Sequence, residues 1–236
     1  MTSAAILAAM AGGVFLTVER QAFQFDVDLY SLPVRATEFI NRHGLRGEMF
    51  NDYNFGGYLL WKSEPRRKVF VDGRLEVYGP GGQLDHYLRV SNGAPGWRQI
   101  LDRYGVDWCV VRADRPIAKQ LDESGIWEMV YFDYNAAIFL RQGAQPEIRR
   151  IPRFRPWGHR DRDNLDALLD EAHYLLGENP DFFGGYKMLA FVLFRKEDFS
   201  GALENMKRYL DLYPDGMESG QTRDMLSALA QRGYKF

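Results

Sequence analysis

The sequence predicts an α/β fold: a mainly parallel sheet with flanking helices and a terminal hairpin, followed by an all-α helical tail. Three observations carry this expectation. Between Pro33 and Leu140, short runs rich in β-branched and aromatic residues alternate with helical stretches, the order that lays helices over a parallel sheet. Asp107-Trp108-Cys109-Val110-Val111 is an apolar run bounded by Gly105 and charged residues, as expected of a strand buried on both faces. Beyond Trp157 the apolar period becomes 3.6 and stays there. The resulting divisions are an apolar N-terminal segment and connector (1–32), an α/β unit (33–142), a Pro/Arg-rich linker (143–160) and a helical unit (161–236).

Taken in order, Pro33 suits a helix start, and Val34, Phe39 and Ile40 share one helical face that ends at His43-Gly44, where glycine suits a C-terminal cap. Glu48–Asn51 reads as a short strand, followed by Asp52-Tyr53-Asn54 and the Gly56-Gly57 pair leading into Tyr58-Leu59-Leu60-Trp61. Lys68–Val71 reads as the next strand, stopped by Asp72-Gly73. Helical stretches follow at about 84–89 and 97–104, then the 107–111 strand and a helix at 117–124. Trp127–Phe132 and Ala136–Leu140, around Asp133-Tyr134-Asn135, predict a hairpin. The segment from Gln142 to Trp157 mixes prolines with Arg149, Arg150, Arg153 and Arg155, and reads as a solvated connector or as chain lying against a neighbouring unit rather than as a phosphate site.

In the tail, Leu165, Leu168, Leu169, Ala172, Leu175 and Leu176 form an apolar stripe that ends at Gly177 and Pro180. Pro180 and Pro214 stand 34 residues apart, and Tyr186, Leu189, Ala190, Leu193, Phe199, Ala202, Met206 and Tyr209 lie between them. The spacing and the order of large and small positions resemble a tetratricopeptide repeat, with Glu197 and Tyr209 departing from its usual glycine and small residue. Thr222–Phe236 resembles the first helix of a further repeat. Such units bury their faces only by stacking, so a single full copy is expected to lean on the α/β unit.

Composition excludes several function classes. The 236-residue chain carries 30 Lys+Arg against 32 Asp+Glu, a net charge of −2, so there is no general basic field for nucleic acid. A single cysteine, Cys109, supplies neither a disulfide nor a thiolate metal cage, and the four histidines are scattered; neither a metal nor a cofactor is expected. The glycine-rich dinucleotide and phosphate loops, the zinc-protease motif and the nucleophile elbow do not occur. Ala4–Val18 is an uncharged apolar run of 15 residues. It is shorter than the roughly 20 residues of a full bilayer span, and no Lys or Arg precedes it as a signal peptide would require. A short membrane helix is the leading reading, with a buried core helix and a signal peptide as the others.

The densest polar cluster is Asn51, Asp52, Tyr53, Gly56, Gly57, Asp72, Arg74 and Tyr78. Asp52 and Asp72 follow the ends of strands neighbouring in sequence, the edge where open α/β sheets bind ligands. The glycines would admit a close backbone, and Arg74 would grip a carboxylate or phosphate with two prongs. The competing reading is structural: Asp52 and Asn54 cap the following helix, and Asp72 pairs with Arg74 to fix a turn. A third reading makes Asp52 and Asp72 an acid/base pair.

The strings FNDYNFGGYLLW, VFVDGRLEVYG, YGVDWCVV and WEMVYFDYNAAIFLR resemble the soluble C-terminal domain of bacterial polytopic membrane glycosyltransferases that use lipid-linked sugars. Some of those proteins carry tetratricopeptide repeats after that domain. The resemblance covers about residues 35–141. Asp52-Tyr53 is also loosely similar to the Asp-Tyr of the Trp-Trp-Asp-Tyr-Gly region of oligosaccharyltransferases, although Phe50, Asn51 and Asn54 replace its other residues. In that family the catalytic acids lie between membrane spans, so the resemblance implies a non-catalytic accessory or acceptor-binding domain of envelope glycan assembly. It further implies an extracytoplasmic, periplasmic location with membrane contact through the N-terminal segment. The implied partners are a glycan or peptide acceptor, with a protein partner for the repeat-like tail.

Overall fold

The computed structural model describes residues 31–64, 67–79, 82–154, 156, 164–214 and 220–234. The apolar run at 4–18 lies outside the described residues. No described helix is long and apolar enough to cross a membrane.

The α/β part runs α1 (Val34–Arg42), β1 (Glu48–Asn51), α2 (Tyr53–Lys62), α3 (Leu75–Tyr78), α4 (Gln83–Ser91), α5 (Trp97–Arg103), β2 (Val106–Arg112), α6 (Pro116–Glu123), β3 (Trp127–Phe132) and β4 (Ala136–Arg141). Four helices follow: α7 (Leu165–Glu178), α8 (Phe183–Arg195), α9 (Phe199–Leu212) and α10 (Gly220–Gln231). Local signals set several of these ends. Helix α1 starts directly after Pro33, and Gly44 takes the left-handed conformation (φ +58°) just beyond its C-cap. Pro116 opens α6 at the position where its missing N–H has no helical partner to lose.

The expectation of a mainly parallel sheet is corrected. Strand order is β1-β2-β4-β3, with β1 parallel to β2 but β2–β4 and β4–β3 both antiparallel. The predicted hairpin forms, and its return strand β4 inserts between β2 and β3. It therefore contributes two antiparallel pairings against one parallel pair. Lys68–Val71 forms no ladder either; the chain there is extended, and its polar groups are met by a side chain, as described below.

Side chains alternate between the two faces of this sheet. Phe50, Cys109, Val111, Ala137, Phe139 and Met129 point to one core, and Met49, Trp108, Val110, Ile138, Leu140 and Val130 to the other. Helices α1 and α2 cover the second face with Phe39, Ile40, Phe55 and Leu59. Helices α4, α5 and α6 cover the first, and Leu168, Leu175, Met188 and Val192 of α7 and α8 join the same core through Phe132, Phe154 and Phe182. The sheet is thus buried on both sides although most of its pairings are antiparallel, a burial commoner in parallel sheets.

The described part of the Pro/Arg-rich segment is packed chain. Ile148, Ile151 and Phe154 are buried, and Ile151 N–H donates to the Met129 carbonyl on the free edge of β3 at 2.9 Å. Arg150 donates to Glu128 (3.0 Å) and to the Gln145 carbonyl (2.7 Å), and Arg149 pairs with Asp170 on α7. Glu171, buried on α7, accepts from the Arg153 and Phe154 N–H groups at 3.0 and 2.7 Å. At the hairpin turn, Asp133 accepts from Asn135 and Ala136 N–H (2.8 and 2.7 Å) and from the Tyr131 hydroxyl (2.6 Å), which itself accepts from Asn179 of the tail at 3.4 Å.

Burial pushes the Asp133 and Glu171 carboxyls above their ordinary range, despite the N–H groups that favour their ionised forms. The fold thus holds protons that the unfolded chain has released, and stability from these groups is full below the ordinary carboxylate range and is lost as pH rises through the raised values. Chemical denaturation between pH 4 and 7 should show this decline, and Glu171→Gln should flatten part of it. Glu171→Ala, which strands two backbone donors, should cost about 1–3 kcal/mol.

Candidate functional site

Strands β1 and β2 run parallel and leave the sheet at the same edge, so Asp52 and the Ala113-Asp114-Arg115 turn emerge side by side. Asp52 N–H still donates to the Val110 carbonyl at 2.9 Å before the chain enters α2. The Asp52 carboxylate is 1% exposed and caps α2, accepting from Asn54 N–H at 3.0 Å. Its other oxygen accepts from Arg115 Nε at 3.3 Å and from the Tyr87 hydroxyl at 3.4 Å. The Tyr87 oxygen in turn accepts from Tyr53 N–H at 3.1 Å. Burial, and then the nearby Asp52 charge, raise the Tyr87 phenol above its ordinary value, which keeps it a donor.

Asn51 is fully buried and has a structural task. Its Oδ1 accepts from Phe70 N–H at 2.7 Å, and its Nδ2 donates to the carbonyls of Val71 and Asp52, both at 2.8 Å. One carboxamide thus does for the 68–71 segment what a ladder does for a strand. Gly56 serves the same junction: a methyl there would overlap the Val71 carbonyl and lie 2.8 Å from Asp72 Cα. Gly57 has open space around it and carries no such constraint.

Asp72 belongs to a separate bond set. Its carboxylate accepts from Arg74 N–H (2.9 Å), from Arg74 Nε (3.0 and 3.1 Å) and from an Arg74 terminal nitrogen (2.5 Å), with the Tyr78 hydroxyl beside it. The Arg74 guanidinium holds this carboxyl below the usual aspartate range. Among the described residues, Asp52 and Asp72 share no hydrogen-bond partner. The sequence cluster therefore divides: Asn51, Gly56, Asp72, Arg74 and Tyr78 fix the 68–78 segment, whereas Asp52 and Tyr53 face β2 and α4.

Beside Asp52 lies a cleft of about 360 Å³ lined by Tyr53, Leu84, Tyr87, Leu88, Ser91, Asn92 and Arg115. Its walls are mostly apolar, and Arg115 places a charge at its margin, the composition of a binding site with few orienting polar groups. Arg115 and Tyr87 were not in the sequence-predicted set. The available signal was Asp114-Arg115-Pro116, a helix start at the end of the 107–111 strand and so the β2 counterpart of Asn51-Asp52-Tyr53. Cys109 lies inside β2, where burial raises its thiol well above the ordinary range, so it offers no nucleophile.

The two glycines separate packing from function. Gly56→Ala should destabilise the fold by about 1–3 kcal/mol through overlap with the 71–72 backbone. Gly57→Ala, inside the same helix with free space around it, should stabilise by about 0.5–1 kcal/mol. Paired thermal melts check both signs. In comparisons with known proteins, no family, no curated relative and no solved structure matches the chain.

Proposed function

We propose that the chain is a non-catalytic accessory domain of envelope glycan assembly that holds an acceptor in the cleft at the ends of β1 and β2. The observation carrying this reading is the employment of the two candidate acids. Asp72 is chelated by Arg74 and kept ionised, and Asp52 is committed to a helix cap and to Arg115. A paired general acid and base needs two carboxyls whose environments drive their protonation apart around one reacting centre. These two have separate partners. A binding cleft without an adjacent activated nucleophile supports holding rather than turnover. Membrane attachment through the N-terminal segment and an extracytoplasmic location belong to the same proposal and rest on the sequence resemblance.

A second reading, a tetratricopeptide-type interaction module, is favoured by one feature. Helices α8 and α9 pack along their length through Ala190, Met206 and Tyr209, and their outer surface carries an open cleft lined by Tyr186, Glu204, Lys207, Arg208 and Asp211. Deleting the tail would expose the core that it shares with the sheet, so charge reversal at Lys207 and Arg208 is the cleaner probe. Loss of a captured partner with those changes, alongside an intact Arg115 cleft, would favour this second reading.

For the leading reading, the full chain mixed with lipid-linked sugar donors should give no transfer or hydrolysis product by mass spectrometry. Envelope glycan fragments should shift the Tyr53 and Tyr87 amide resonances, and Leu88→Trp, which fills the cleft, should cancel the shift. Turnover that disappears in the Asp52→Asn, Asp72→Asn double variant would establish an enzyme instead. Recovery of the full-length chain wholly in the soluble cytosolic fraction would refute the location.

A further inference from the structure

The cleft that the proposed function uses also carries a charge selection. We propose that its occupant presents a carboxylate or phosphate to the Arg115 guanidinium and an apolar or aromatic portion to Tyr53, Tyr87, Leu84 and Leu88. The inference rests on that cleft being the binding site.

Four observations lead to it. Arg115 uses only Nε on Asp52, at 3.3 Å, and its two terminal nitrogens make no hydrogen bond to another described residue. Its side chain is 38% exposed while the Asp52 carboxylate behind it is 1% exposed. The buried acid therefore fixes the direction of the guanidinium without occupying its outward donors. A guanidinium held this way binds a planar or tetrahedral oxyanion through two parallel N–H groups, which an ammonium does not do. A neighbouring carboxylate is already engaged: Asp114 is held by Arg112 through Nε at 2.9 Å and a terminal nitrogen at 2.5 Å. Finally, apart from Ser91 and Asn92 the rest of the wall is aromatic and aliphatic, with Leu88 48% exposed, so the cleft discriminates against a small, fully hydrated ion. Asp52 is here a positioning residue, acting on the ligand through Arg115.

The test uses the full chain and three probes of like shape: benzoate, phenyl phosphate and the neutral benzamide, titrated by amide NMR shifts of the cleft residues. Both anions should bind and benzamide should bind roughly tenfold or more weakly, since hydrogen bonds to a charged partner contribute about 1.5–3 kcal/mol and 1.4 kcal/mol is a factor of ten. Affinity for the anions should fall as salt rises from 50 to 500 mM. A preference for phenyl phosphate assigns a phosphorylated ligand, and a preference for benzoate assigns a carboxylate-bearing one. Arg115→Gln should lower anion affinity by about the same factor, and Arg115→Lys should recover only part of it. The comparison of the three probes on the unaltered chain needs no variant and holds even if Arg115→Gln is poorly folded. Benzamide binding as tightly as benzoate, failure of both anions to bind, or unchanged benzoate affinity in a folded Arg115→Gln protein overturns the proposal. Sugar transfer by the chain would instead remove the accessory reading and leave the anion selection standing.

Discussion

The α/β part of this protein depends on the carboxamide of Asn51. Strand β1 has four residues and, among the described residues, only one neighbouring strand, β2, so its outer edge would present unpaired backbone groups next to the 68–71 segment. One amide, with an acceptor and two donor hydrogens, binds Phe70 N–H, the Val71 carbonyl and the Asp52 carbonyl. Aspartate could accept but not donate there, and leucine could do neither, so either would leave buried backbone groups without partners. Everything at the β1 end of the site follows from this: Asp52 leaves the strand in a fixed direction, and Gly56 can approach Val71 because the segment is held against it.

A second set of bonds fixes the opposite edge of the sheet, where β3 turns into β4. Asp133 closes the β3–β4 turn, and its Tyr131 partner reaches Asn179 at the C-cap of α7. Arg42 and His43 at the end of α1 meet Glu178 at 2.7 and 3.0 Å, and Tyr134 stacks on Phe183, which stacks on Tyr213. The tail is therefore attached by apolar burial, buried polar bonds and ring stacking together. The first of these is the largest contribution, because apolar area removed from water dominates such contacts.

Much of this was legible in the chain, and the failures have physical reasons. Helix ends marked by Pro33 and Gly44 are local events, set by backbone chemistry within a few residues, and they fall where the sequence placed them. The β3–β4 hairpin is equally local. Strand direction is not: the insertion of β4 between β2 and β3 depends on which buried strands meet, and alternation alone carries no record of that. Lys68–Val71 has the composition of a strand, yet a ladder also requires a partner, and Asn51 takes that place. The polar cluster was recognisable as a cluster, but its division into a bracing half and a cleft-facing half arises from contacts made after folding. Arg115 was missed because it meets Asp52 across 63 residues of chain.

The shared core beneath Phe132, Phe154 and Phe182 has a consequence for the minimal foldable unit. Composition invites a cut near Trp157, where prolines and arginines suggest a seam between modules. The interior does not respect that seam: one oily volume runs from the sheet into α7 and α8, and Ile151 extends the sheet's edge on the way. A fragment ending at residue 142 would strip Phe132 of Phe154 and Phe182 and the Met129 carbonyl of Ile151, so the helices behave as the final layer of one body rather than as an appendage.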